Sequence, residues 1–249
     1  MTTRHSGVAK LWLLNLFGNA VLLSAVYLWL VLPDAHGWQV AASGLLALLV
    51  IFFGLWLRTG SFAYFRLSEF RERGAVWQAF RHGLRYIFAV LVWIIPLAAV
   101  EWGLFRLRQY APQFGVWFWQ KVPALRFGSP RQIYHAADWL LLVLMALAAA
   151  LWLPVGITVA ATGWKWVKMR HSLRVLKRIK YWGWAVAFAV IGGFVPYRIV
   201  SWIPDLNSLS KQAWSAGLRF LAAYLLLITS WIALLLVSGE CAEQEDMQP

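Results

Sequence analysis

The chain has 249 residues, 61% of them hydrophobic and only 13% charged, with a formal net charge of +13. A soluble domain is nearer half apolar and a quarter charged, so this composition excludes an ordinary soluble class and points to the bilayer. The single cysteine, Cys241, excludes an internal disulfide framework and any Cys-based zinc or iron–sulfur site.

The first apolar run, Leu11–Leu32, is too long for a signal-peptide core and lacks a small-residue cleavage site, so it reads as a first span. A hydrocarbon core about 30 Å thick takes roughly 20 apolar residues in a helix. Lipid offers the backbone no hydrogen-bond partner, so each crossing must be helical. Further spans follow at Trp38–Leu57, Leu84–Phe105, Trp139–Ala161, Trp182–Ile203 and Leu218–Val237. Trp12, Trp29, Trp38, Trp56, Trp102, Trp139, Trp182 and Trp202 stand near span ends, where amphipathic rings settle at the headgroup level. The fold class is therefore all-α: a polytopic membrane helix bundle of about six transmembrane helices over residues 1–239. An acidic cytoplasmic tail, 240–249, follows and is expected to be disordered.

Two short loops, Arg58–Arg85 and Gly163–Lys180, hold 13 of the 23 basic residues. Six spans put both termini on the side of these loops, which then carries 15 basic residues against eight on the other. The excess places loops and termini in the cytoplasm of a bacterial-type inner membrane. Both loops read as basic amphipathic linker helices. In Trp164–Lys180, Lys165, Lys168, Arg170, Arg174, Lys177, Arg178 and Lys180 surround an apolar stripe of Trp166, Met169, Leu173 and Leu176 at helical spacing. Clusters of this size beside a span bind anionic headgroups at roughly 1 kcal/mol per charge, although the same charges also serve simply to set topology. In the first linker the stripe is Trp77, Phe80 and Leu84, and Glu69 and Glu72 dilute the charge.

On the other side, the segment 106–138 contains Pro112, Pro123 and Pro130 around an aromatic run, Phe114–Trp119, too short to cross. It reads as an aromatic stretch lying in the interface. Residues 83–102 and 183–202 align without gaps. Gly83, Phe88, Ala89, Val90, Pro96, Val100 and Trp102 meet identical residues, which suggests an internal parallel repeat related by an axis along the membrane normal. Chance matching of two apolar segments explains the same identities.

Pro96, Pro154 and Pro196 lie inside spans and read as kinks. Small residues on spans four and five, among them Ala149, Gly156, Ala189 and Gly192, predict a tight pair of those helices. Asn15 and Asn19, one turn apart, read as interhelical hydrogen-bonding groups. Ionisable groups within spans are costly and invite a functional reading. Glu101 and Arg198, about one turn from the outer ends of the repeat-related spans, form a candidate intramembrane ion pair. His36, His135 and Asp138, with Asp34 and Asp205 nearby, are the only candidates for a metal or catalytic cluster. Turn and helix-cap composition explains them equally well.

No nucleotide-binding, zinc-protease or serine-hydrolase motif occurs, and no cofactor is implied. Nucleic acid is excluded as a partner, because no binding fold is available and lipid competes for the charge. The leading function is a non-catalytic inner-membrane component that binds anionic lipid and/or a partner subunit, either another membrane protein or a second copy, within a transport assembly. The alternatives are a transporter or lipid translocator using the Pro-kinked spans, and a membrane enzyme using the outer His/Asp cluster.

Overall fold

In a computed structural model, residues 2–33, 35–122, 129–165, 172–205 and 207–246 are described. The protein is all-helical, 90% helix, with no strand among the described residues. Its elements are α1 (Thr2–Val31), α2 (Gly37–Arg66), α3 (Ser68–Arg73), α4 (Val76–Leu84), α5 (Ile87–Gln109), α6 (Ala111–Lys121) and α7 (Pro130–Thr162). A 3-10 turn (Leu173–Lys177), α8 (Ile179–Ala187), a π-helical segment (Phe188–Phe194), α9 (Val195–Ser201) and α10 (Leu209–Asp246) complete the chain. Six helices are long and apolar enough to cross a membrane: Ser6–Val31, Gly37–Arg66, Ile87–Gln109, Pro130–Thr162, Ile179–Ser201 and Leu209–Glu243. This is the architecture of a multi-pass membrane protein.

Several helices outrun the bilayer, and this decides where the protein packs. α2 has 30 residues, about 45 Å at 1.5 Å per residue, against about 30 Å of hydrocarbon. Its first turns leave Trp38, Leu45, Leu48 and Ile51 exposed, as lipid-facing side chains are. From Leu57 to Arg66 the helix turns buried, with Arg58 only partly covered. The predicted loop from Arg58 is therefore overturned at its start. Thr59 and Ser61 donate their hydroxyls to the carbonyls of Leu55 (2.9 Å) and Leu57 (2.7 Å), so the polar stretch stays helical.

The chain forms two compact units, Met1–Val90 with Pro154–Pro249, and Leu91–Leu153. In the larger unit, α1, α2 and α10 pack on one another, and α3 and α4 pack against α2. The crossing of α4 over α2 is close. A Cβ on Gly83 would stand 2.9 Å from the Thr59 and Gly60 backbone, and one on Gly60 would enter the Phe80 ring. Accordingly α4 buries Ala79, Phe80 and Gly83. Of the predicted stripe only Phe80 is buried, whereas Trp77 and Leu84 are exposed. Gly239 of α10 meets the Phe65 carbonyl of α2 just as closely. The helix ends at the termini thus form a packed base, which we call the basic end.

α10 does not stop at Val237. It continues to Asp246, so the expected disordered tail is helical through that residue. α7 ends at Gly163, whose φ of +68° is a left-handed value that favours glycine.

The two segments of the proposed repeat differ in form. Pro96 lies within the unbroken helix α5, whereas Pro196 in the first turn of α9 follows the π-helical segment. Proline has no N–H and its ring crowds the carbonyl four residues earlier, and a wider π turn is one way to relieve this. Gly192 in that turn faces Ser230 of α10, so at this position the small face of the fifth span is taken by α10.

In the smaller unit, the Trp93 and Trp152 rings stack at 4.5 Å, and the Trp152 indole N–H donates to the Trp93 carbonyl at 2.8 Å. α6 meets the first turn of α7 at Gly115, where a Cβ would lie 3.0 Å from the Tyr134 nitrogen. The aromatic segment is thus a helix, with Phe114 and Trp117 exposed.

Candidate functional site

The buried polar side chains of the larger unit gather toward the basic end, in two tiers. The upper tier is a ladder between α1, α2 and α10. Asn15 is fully buried, and its Nδ2 donates to Ser61 Oγ (3.0 Å) and the Leu11 carbonyl (3.0 Å). One turn on, Asn19 Nδ2 donates to the Asn15 carbonyl (2.6 Å), which turns Asn19 Oδ1 to accept from Arg58 at 3.1 Å. The guanidinium lies 5.2 Å from the centre of the Trp231 ring on α10. Trp12 and Tyr224 add two ties, the indole N–H to Thr229 Oγ1 (3.1 Å) and the phenol to the Leu16 carbonyl. Both asparagines therefore make hydrogen bonds between helices.

The lower tier is charged. Arg66, 7% exposed, donates to Thr158 Oγ1 at 3.4 Å, and Thr158 is hydrogen-bonded to Ser172. Arg71, 5% exposed, forms an ion pair with Glu243. Lys180 donates to Glu240 at 3.2 Å. His82 of α4 bonds to the Ala161 carbonyl at 2.8 Å. Two arginines of the predicted first loop, Arg66 and Arg71, are thus buried, because the end of α7 and the C-terminal helix bring them partners.

The remaining linker charges face outward. Arg81, Arg85, Lys165, Arg174 and Lys177 are exposed, and among the described residues none of them holds a carboxylate. Lys180 is exposed and Arg178 partly so. Lys168, Arg170, Trp166 and Met169 lie outside the described residues. Of the expected stripe, Leu173 is exposed while Val175, not part of it, is fully buried, because the described segment is a 3-10 turn rather than an α-helix. A groove of about 250 Å³ opens between α2 and α4, lined by Phe52, Phe53, Trp56, Trp77, Phe80 and Leu84, with Arg81 beside them.

The other candidates fall in several places. Glu101 lies in the smaller unit and Arg198 in the larger. Glu101 Oε1 is shielded from solvent and has no hydrogen-bond partner among the described residues, while Arg198 is exposed. Asp138 is held by the Arg108 guanidinium, with Nη2 to Oδ2 at 3.1 Å. Composition gave no sign of this pair, whose members are 30 residues apart. His135 accepts from Arg131 at 3.4 Å, and the His36 backbone N–H donates to Gln39 Oε1 at 2.9 Å at the start of α2. Asp34 lies outside the described residues. Among the described residues no three His, Cys, Asp or Glu side chains gather as a metal site would require.

Compared with known proteins, the chain matches no family model, no curated protein and no solved structure.

Proposed function

We propose that this protein is a non-catalytic component of a bacterial-type inner membrane whose basic end faces the cytoplasm and binds anionic lipid, as part of a larger membrane assembly. The observation that carries this reading is the sorting of the arginines and lysines. Arg71 and Lys180 meet acids, whereas Arg81, Arg85, Lys165, Arg174 and Lys177 are exposed without one among the described residues. Exposed charges at the end of a span attract anionic headgroups, and do so less as salt rises. The aromatic groove beside Arg81 supports the reading, since it can take the upper part of an acyl chain next to a cation that takes the headgroup.

The test is thermal unfolding of the full chain in neutral detergent, with phosphatidylglycerol or phosphatidylcholine added. Phosphatidylglycerol should stabilise the protein more, and neutralising Lys165, Arg174 and Lys177 to Gln should remove much of the difference. Equal stabilisation by both lipids rejects the reading. Orientation is tested in cells with a cysteine placed at Lys177. Labelling by an impermeant reagent from outside rejects a cytoplasmic basic end.

A further inference from the structure

Arg58 is the one charge of the upper tier, and its surroundings are built for a cation that is still short of acceptors. It stands 21 residues after Gly37, about 31 Å along α2. That is close to the full hydrocarbon thickness, so a span beginning near Gly37 sets Arg58 at the level of the lipid phosphates on the basic side. A guanidinium has five N–H donors. Among the described residues Arg58 makes one hydrogen bond, to Asn19 Oδ1, with the Tyr224 phenol also near it, and no carboxylate pairs with it. The indole beneath it adds a second unmet donor: Trp231 Nε1 is buried and has no hydrogen-bond partner among the described residues. These two groups sit on different helices, and both carry N–H donors that no acceptor meets among the described residues. Leaving such donors unmet near hydrocarbon is costly, more so for the charged one.

We infer that Arg58 and Trp231, with Asn19 orienting the guanidinium, form a binding site for a single phosphate-type oxyanion at the basic-side interface, most simply the headgroup phosphate of an anionic lipid. The parts divide the work. Asn19, fixed through the Asn15 carbonyl, holds one edge of the guanidinium. The Trp231 face supports its charge. The remaining guanidinium N–H groups and the indole N–H are the donors for phosphate oxygens, and a guanidinium meets a phosphate through two parallel hydrogen bonds. The site is separate from the exposed linker charges of the proposed function. It lies between α1, α2 and α10, and it takes one ligand rather than a diffuse layer.

The experiment uses the full chain in neutral detergent. Native mass spectrometry counts bound lipid, and thermal unfolding is followed with phosphatidylglycerol, phosphatidylcholine or inorganic phosphate. The variants are R58Q, W231F and the linker variant K165Q/R174Q/K177Q. W231F keeps an aromatic face under the guanidinium and removes the N–H, but its ring is smaller, so its unfolding temperature without added lipid is measured beside that of the native protein to separate a packing loss from lost lipid binding. The expected result is one tightly retained phosphatidylglycerol on the native protein and on the linker variant. Retention should be about tenfold or more weaker in R58Q and clearly weakened in W231F. If inorganic phosphate stabilises the native protein as well as phosphatidylglycerol does, and R58Q abolishes that effect, the oxyanion site stands and its source is free phosphate. If R58Q and W231F retain phosphatidylglycerol like the native protein, the site is overturned, whatever the linker variant does. If only the linker variant loses lipid, the proposed function stands and this inference falls.

Discussion

Arg71 of α3 and Glu243 of α10 form an ion pair across 172 residues of sequence, with the arginine almost fully buried and its Nη1 also reaching the Phe65 carbonyl. The pair closes the C-terminal helix over the linker that follows α2. Removing one member of a buried pair strands the other. We therefore expect Glu243→Gln to lower stability by about 1–3 kcal/mol, the partial exposure of Glu243 keeping the loss below that of a fully buried pair. Cys241 provides the readout, since it is 1% exposed on the same helix end. The native thiol should react slowly with a maleimide, and E243Q should speed the reaction. Unchanged labelling would mean that the pair does not hold α10 in place.

A second expectation concerns the crossing of α2 and α4. A methyl at Gly83 would press on the Thr59–Gly60 backbone, which cannot move aside as a side-chain tip can. Gly83→Ala gains helix propensity, worth up to about 1 kcal/mol, but overpacking of this kind costs about 1–3 kcal/mol. The net effect should be destabilising, seen as a lower unfolding temperature in detergent. Gly103→Ala on α5, where nothing lies within 4 Å of the added methyl, is the control and should be neutral or stabilising. If both substitutions behave alike, the close crossing is not what limits stability.

The six spans were legible because length and apolarity are local signals that need no knowledge of partners. The base was not, for the same reason. Arg58-Thr-Gly-Ser reads as the start of a loop, yet the hydroxyls of Thr59 and Ser61 bond to their own helix, and Gly60 exists to admit Phe80. The crossing of α4 over α2 was not legible, because it rests on the small residues Ala79 and Gly83 beside Phe80, while Trp77 and Leu84 stay exposed. The burial of Arg66 and Arg71 depends on Thr158 and Glu243, far away in sequence. One signal was available: no proline follows the last apolar run before the acids, so despite Gly239 the acids of Glu240–Asp246 could be read as later turns of the same helix.

Glu101 carries a third expectation. Its Oε1 is buried without a donor among the described residues, and such a carboxylate is a net cost unless a partner or a proton meets it. Glu101→Gln keeps the shape and removes the charge, so it should raise stability in detergent by about 1 kcal/mol. The ion pair with Arg198 suggested by the sequence makes the opposite demand. In that case E101Q lowers stability, and adding R198Q recovers part of the loss.

The last expectation lies in the smaller unit, at Arg108 and Asp138. Two guanidinium nitrogens reach both carboxylate oxygens, joining the end of α5 to α7. The geometry is bidentate, which separates it from ordinary surface pairs. Its side chains are 36% and 16% exposed, so solvent screens part of the attraction. The coupling in a double-mutant cycle of R108Q and D138N should therefore be about 1 kcal/mol rather than the several expected for a buried pair. It should also shrink as salt is raised from 0.05 to roughly 0.5 M, because the Debye length falls toward a few ångströms. Neither variant should change the reactivity of Cys241, which belongs to the other unit. A coupling near zero would reduce the pair to a surface contact and leave the Trp93–Trp152 stack as the main tie between α5 and α7. A coupling that does not respond to salt would show that the pair is shielded more deeply than its exposure implies.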